Sequence, residues 1–399
     1  MNEIRGTVAP GFEEVRDVFA ENFTSRGEVG AGFCVYVDGT PVVDLTGGVA
    51  DTSGTPYDDS TLQMVFSTTK GATAMCAHLL AQRGQLDLLA PVREYWPEFA
   101  ANGKEDVPVA WLLSHKVGLP DVDRPMTLDE ALDWDAVARA LAESAPVWEP
   151  GTQHGYHALT FGWLVGELVR RVSGTSIGEF FATEFAAPLG LEFWIGLPAE
   201  QQRRVADLIP MDAPEGLPMM MSEEGTGQDA APGGLIAMLD MFLGEGNLAA
   251  RALTAPGGAF SEELIWNEDR VRAAQIPAAN GVTNAPSLAR LYAACVGNVD
   301  GVRLLDDATI TRAIEVQSEG PDSVLIFPIP FAFGFMRHSQ MSPFAGPRSF
   351  GHYGAGGSVG FADPDRRLAV GYVMNKMHFG LAGHPRTAAL IEVVDRLVG

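Results

Sequence analysis

Extended, turn-bounded segments stand at both ends of this chain and helical ones fill its middle, a distribution that constrains the fold more than any single motif. Near the N-terminus, GAGFCVYVDGTPVVDLTGGVAD reads as two short strands about the turn Asp38-Gly39, after a helix in which Phe12, Val15, Phe19 and Phe23 share a face. Toward the C-terminus, FAFGFMRH, GSVGFADP and RRLAVGYVMNKM read as strands separated by Gly, Pro and Asp turns, and a last helix is predicted from Arg386 to Val398. Helical patterns between them cover Thr68 to Gln82, Thr160 to Val172 and Leu288 to Val296. The pattern predicts an α/β (α+β) architecture: an antiparallel sheet assembled from both chain ends, flanked by helices, with a mainly helical domain inserted. The expected division is residues 1–85 and 288–399 for the sheet domain and 86–287 for the helical one, with the active site between them. The stretch from Leu197 to Pro232, rich in Pro, Met and acids, is expected to be loop.

Composition narrows the partners. With 399 residues, 46% hydrophobic and 20% charged, the chain has the material for a large core, which excludes a disordered protein or a coiled coil. Lys plus Arg number 27 against 51 Asp plus Glu, a net charge of −24. Only four lysines occur (Lys70, Lys104, Lys116, Lys376), and they form no basic run. Such a surface repels phosphate, so neither nucleic acid nor an anionic membrane is an expected partner. Cys34, Cys76 and Cys295 form no Cys-x-x-Cys pair and no disulfide framework, which fits a reducing compartment. The start of the chain has no apolar run of a secretory signal, and no segment supplies about 18 uncharged apolar residues for a membrane span. A cytoplasmic location is expected, and the sequence carries no signal for oligomeric state.

The most informative tetrapeptide is Ser67-Thr68-Thr69-Lys70, which follows Met64-Val65-Phe66 and opens the small-residue helix GATAMCAHLLAQRG. Positions i and i+3 share a helix face, so the Lys70 ammonium would lie beside the Ser67 hydroxyl. A serine is a weak nucleophile until a base takes its proton, and a lysine is such a base once burial lowers its pKa. Backbone N–H groups at the helix N-terminus favour negative charge developing near the serine. Alone, the motif also describes an N-cap serine with an incidental lysine.

Two further segments make the pattern specific. With them the sequence resembles the serine β-lactamase and penicillin-binding-protein superfamily, and within it the family VIII carboxylesterases, which share the class C β-lactamase-like fold. Ser67 and Lys70 match Ser-x-x-Lys. WLLSHKVGLP, residues 111–120, resembles the family's Leu-Leu-Ser-His-x-x-Gly-Leu segment. Tyr-x-Asn falls on Tyr156-His157-Ala158 in EPGTQHGYHALTFGW, and Lys-Thr-Gly falls on His352-Tyr353-Gly354 in FGHYGAGGSVGFADP. The resemblance runs from about residue 12 to the C-terminus and implies the β-lactamase/transpeptidase-like fold. It implies Ser67 as nucleophile, Lys70 and Tyr156 as a shared general base, and an oxyanion hole from the N–H groups of Ser67 and Ala355. Tyr156 would act as a phenolate beside an ammonium that lowers its pKa, and would protonate the leaving alcohol. His352 and Gly354 fall in the substrate-binding strand, where His352 would orient substrate or Tyr156. No metal or organic cofactor is implied.

The departures from the β-lactamase pattern bear on substrate. Ala158 replaces an asparagine that holds the antibiotic's side-chain amide, and His352 replaces a lysine near the substrate carboxylate. Neither change touches the acylation machinery. The expectation is a carboxylesterase acting on small or medium uncharged esters. The alternatives are an amide-directed enzyme of the same fold (a β-lactamase, a D-amino-acid peptidase or amidase, or an acyltransferase) and an inactive penicillin-recognition module.

Several motifs point elsewhere. Gly356-Gly357-Ser358-Val359-Gly360 fits Gly-x-Ser-x-Gly, with Asp363, His378 and His384 downstream, but that elbow requires a helix after its serine and FADPDRRLAVGYV reads as turn and strand. His154 and His157 lack the carboxylate of a zincin signature. Gly225 to Ala230 imitates a dinucleotide fingerprint without a preceding strand. Met219-Met220-Met221 suits either an adaptable acyl pocket or core filling. Trp111 and Trp134 are expected in the core.

Overall fold

A computed structural model describes residues 3–211, 243–378, 380 and 382–399. Among these, seven strands form an antiparallel sheet in the order β1-β3-β2-β10-β9-β8-β7. They are β1 (Ile4–Val8), β2 (Gly30–Val37), β3 (Thr40–Gly48), β7 (Met336–Arg337), β8 (Phe350–Tyr353), β9 (Val359–Asp363) and β10 (Leu368–Met374). A second sheet joins β4 (Gln63–Met64), which just precedes the serine motif, to β6 (Gly281–Thr283) and β5 (Phe193–Ile195). The two chain ends meet where β2 pairs with β10, Phe33 facing Tyr372 and Cys34 facing Gly371.

Both faces of the large sheet are covered, which is why β2 reads as a nearly continuous apolar run. Helices α1 (Glu13–Ser25) and α5 (Pro385–Val398) cover one face, where Val15, Phe19, Phe33, Val35, Leu390 and Val394 share a core cluster. Helix α4 (Ala285–Val296) covers the other, where Cys34, Tyr36, Leu288 and Ala289 belong to the larger cluster. Gly360 and Gly371 face one another across β9 and β10. A Cβ on Gly371 would come within 2.7 Å of the Ala289 nitrogen, and one on Gly360 within 2.8 Å of Leu288, so the pair lets α4 approach the sheet.

Helix α2 (Thr69–Gln82) runs through the interior, buried from Thr69 to Leu80, and packs against α3 (Thr160–Ser173). Its small residues are the consequence: a side chain at Gly71 would overlap the Tyr292 hydroxyl. Trp111 and Trp134 are partly buried against this cluster.

The structure departs from the sequence expectation at several elements. Strand β1 is an edge strand with one partner and a half-exposed surface, so it lacks an apolar signature. Only Met336–Arg337 of FAFGFMRH is regular strand, because Gly334 turns the chain at φ +87°. Helix α4 begins three residues before Leu288: the Asn284 side chain accepts the Ser287 N–H and Pro286 sits in the first turn. Within 197–232, Ala199–Arg204 forms a 3-10 turn, and residues from 212 onward, including Met219 to Met221 and Gly225 to Ala230, lie outside the described residues. No helix among the described residues is long and apolar enough to cross a membrane.

Candidate active site

Ser67 occupies a 3-10 turn, Phe66–Thr68, between β4 and α2. Phe66 is held in the left-handed region at φ +44°, uncommon for a bulky side chain. The edge of Trp266 packs on its ring at 5.4 Å, and Phe260 stacks behind Trp266 at 4.8 Å. Ser67 itself is only partly buried, whereas Lys70, one turn later, has no exposed surface.

Lys70 Nζ has three polar neighbours: Ser67 Oγ at 2.8 Å, the Ala158 carbonyl at 2.6 Å and the Ala278 carbonyl at 3.1 Å. None is an acid. Burial without a counter-ion pushes the Lys70 pKa well below its ordinary value, which favours the neutral amine. A neutral amine has two N–H groups and one lone pair. The two carbonyls take the N–H groups, which leaves the lone pair directed at the Ser67 hydroxyl. That is the arrangement of a base beside its nucleophile.

Tyr156 completes the cluster. Lys70 Nζ lies 4.8 Å from the centroid of its ring, and Ser67 stands near enough to its hydroxyl to pull its pKa down. The expected phenolate is not what this environment favours. Burial pushes the Tyr156 pKa up, the Ser67 hydrogen bond opposes that only in part, and the charge of Asp322 pushes it up further. Tyr156 is therefore a protonated phenol, suited to donating a proton rather than to taking the first one.

The opposite wall is the end of β8. His352 is buried, its Nδ1 lies 2.6 Å from the Tyr353 carbonyl, and its ring stacks at 6.0 Å on Tyr156. Burial, with Lys70 nearby, lowers its pKa to about 3, so the imidazole is neutral and Nδ1–H donates to that carbonyl. Its Nε2, an acceptor, has no partner. Gly354 follows, and a Cβ there would overlap the Val65 carbonyl and the Ser358 hydroxyl. Only glycine lets β8 close on the serine turn. The next residue, Ala355, starts a 3-10 turn, Ala355–Gly357.

Ser358 belongs to the scaffold of this site. It is fully buried, its hydroxyl donates to the Val65 carbonyl at 2.8 Å and lies 3.0 Å from Thr68 Oγ1, and strand β9 follows it. Strand after serine, with no histidine among these partners, removes the Gly-x-Ser-x-Gly reading. Ser358 instead fastens the Ala355 turn to the Ser67 turn. Both ring nitrogens of His157 are engaged, Nδ1 with the Gly155 carbonyl at 2.6 Å and Nε2 accepting the Leu119 N–H at 2.9 Å. No group of three or more His, Cys, Asp or Glu among the described residues is placed to hold a metal ion.

Three contributors lie outside the expected site residues. Ala278 acts through its carbonyl, held in a loop where the buried Asn280 side chain accepts the Ile276 N–H and donates to the Val271 carbonyl. His115 stands at φ +60° in the Leu-Leu-Ser-His segment, and its Nδ1 accepts the His157 N–H at 3.2 Å. Asp322 accepts the Tyr156 N–H at 3.0 Å. Carbonyls have no sequence signature, and an aspartate 166 residues from its partner is found only by folding the chain.

The beta-lactamase family model matches residues 15–394. Esterase/beta-lactamase LipL of Mycobacterium tuberculosis is 36% identical over 381 residues, covering 93% of this chain and 83% of its own. The crystal structure of a family VIII carboxylesterase superposes with a TM-score of 0.85 at 36% identity, covering 99% of this chain and all of the other. A penicillin-binding protein homolog from Caulobacter crescentus superposes with a TM-score of 0.84 at 37% identity, over 99% of this chain and all of that one.

Proposed function

Because the chain belongs to the beta-lactamase family, we propose that it is a serine carboxylesterase that hydrolyses small to medium uncharged carboxylic esters through an acyl-enzyme on Ser67. The observation that carries the reading is the buried Lys70 amine, satisfied by two carbonyls and left with its third contact on Ser67 Oγ. The relatives named esterase and carboxylesterase support the ester-cleaving chemistry.

In the proposed cycle Ser67 Oγ attacks the ester carbonyl carbon as its proton passes to Lys70. The resulting oxyanion is received by the N–H groups of Ser67 and Ala355. Collapse breaks the bond to the alcohol oxygen. Tyr156 donates its proton to that oxygen and regains one from the Lys70 ammonium, which returns to the neutral amine. Water then attacks the acyl carbon, its proton accepted by the same pair, and Ser67 leaves reprotonated as the acid departs. The cycle balances with water as the only co-reactant.

Substrate class follows from charge. A neutral, buried His352 offers a carboxylate no cation, and Ala158 presents a methyl group where an amide-holding side chain would be needed. Desolvating a carboxylate in such a site is costly, so uncharged esters are favoured over anionic β-lactams. The name Esterase/beta-lactamase of one relative favours a second reading, lactam hydrolysis in the same site.

Turnover of p-nitrophenyl butyrate and of a chromogenic cephalosporin, for the wild type, Ser67→Ala and Ser358→Ala, tests both. The expected result is a faster ester, abolished in Ser67→Ala and retained at a reduced rate in Ser358→Ala. A dead Ser358→Ala with an active Ser67→Ala would refute the nucleophile, and a faster cephalosporin would replace the esterase reading with the second one.

A further inference from the structure

We propose that Asp322 is a positioning residue for the reaction: its buried carboxylate holds the backbone of Tyr156 so that the phenol meets Ser67. The proposal rests on the role given above to Tyr156.

Tyr156 lies in the stretch 153–157, which has neither helix nor strand to fix it. Its place is set instead by three consecutive backbone N–H groups, each with a separate acceptor. Gly155 donates to the His115 carbonyl at 3.0 Å, Tyr156 to Asp322 Oδ1 at 3.0 Å, and His157 to His115 Nδ1 at 3.2 Å. The same Asp322 oxygen also accepts the N–H groups of Val324 at 2.8 Å and Leu325 at 2.7 Å. One oxygen therefore closes its own loop and ties that loop to the tyrosine.

The fit of a carboxylate to this task is chemical. An ionised aspartate is an acceptor only, and N–H bonds to a charged oxygen are stronger than those to a neutral one; burial pushes the Asp322 pKa up, and the N–H groups of Leu325, Tyr156 and Val324 oppose that push. Asp322 is 3% exposed, which shields those bonds from water. Farther along the chain, the Phe331 ring stacks on Tyr156 at 5.6 Å while His115 packs beside it at 5.1 Å. Displacing the Tyr156 backbone would move the phenol away from Ser67. A carboxylate placed there also keeps the phenol protonated, as its charge disfavours the phenolate.

A double-mutant cycle on p-nitrophenyl butyrate separates positioning from a general loss of structure. For Asp322→Ala, folded by thermal unfolding, kcat is expected to fall about 100-fold with KM changed less than about threefold. In the Tyr156→Phe background the same substitution is expected to cost less than about twofold, because the group it positions is already gone. Asp322→Asn keeps shape and acceptor with weaker bonds, and is expected to regain about tenfold over Asp322→Ala while remaining about three- to tenfold below wild type. A folded Asp322→Ala with wild-type kcat, or losses that multiply in the Tyr156→Phe background, would overturn the proposal. If Asp322→Ala does not fold, Asp322→Asn decides: wild-type kcat in that variant overturns it as well. A Tyr156→Phe enzyme with wild-type kcat would instead refute the role of Tyr156, and the proposal with it.

Discussion

A lysine that makes three hydrogen-bond contacts and no ion pair is a costly thing to bury, and at Lys70 that cost is what makes the base. The sign of its pH dependence follows. With the pKa lowered by burial, the neutral amine dominates above the lowered value and is lost as pH falls through it, so kcat/KM should decline on the acid side. Lys70→Arg, which cannot deprotonate, should lose about 10²- to 10⁴-fold at every pH in a profile from about pH 5 to about pH 9. A wild-type-like profile in that variant would remove Lys70 as base. Ser67 and Lys70 were legible because their relation is local, one helical turn. Tyr156, His352 and Ala355 were expected only through the resemblance, and burial at Tyr156 favours the phenol over the phenolate that the resemblance implied. Whether a buried pair is charged depends on every group around it, and sequence spacing does not report that.

At the scale of elements, the site is a junction between the turn that opens α2 and the end of β8. Gly354 and Ser358 hold them together from the β8 side, the first by having no side chain and the second by its bond to Val65. Gly354→Ala must push β8 away from the serine turn. The expected result is a kcat loss of about 100-fold, from a displacement on the scale of 1 Å, with a stability loss of about 1–3 kcal/mol measured by denaturant unfolding. An unchanged kcat would mean that the two turns need not touch. Long helices, α2 by its run of small helix-forming residues and α3 and α5 by their amphipathic pattern, were readable to within a residue or two. The strands of the small sheet were not, since two or three residues are too few for an alternation pattern.

Across the whole molecule, the chain ends are joined by more than the β2–β10 pairing. Glu28, just beyond α1, and Arg386, in the first turn of α5, form a buried ion pair at 3.0 Å, with Tyr372 of β10 bonded to the same carboxylate. Burial pushes the Glu28 carboxyl above its ordinary pKa even though the guanidinium pulls it down. Arg386→Met removes that opposing pull, so the folded-state pKa rises further. A raised carboxyl pKa contributes stability at low pH that is lost as pH rises through the folded value. The variant should therefore be destabilised by about 3–5 kcal/mol near neutrality, and less so toward about pH 5. Thermal unfolding at the two pH values checks this, and an equal or larger deficit at low pH would contradict it.

By itself the sequence carried the class of architecture, the family and the expected serine–lysine pair, because each rests on local patterns or on short motifs in order along the chain. Folding alone decided the rest. The Lys70 pKa is lowered because distant segments bury the amine and offer carbonyls rather than acids, Ala278 among them from 208 residues away. The phenol stands where it does because Asp322 and His115, neither adjacent to it in sequence, receive the backbone around it. Protonation and position are properties of the surroundings, and those surroundings exist only once the chain is folded.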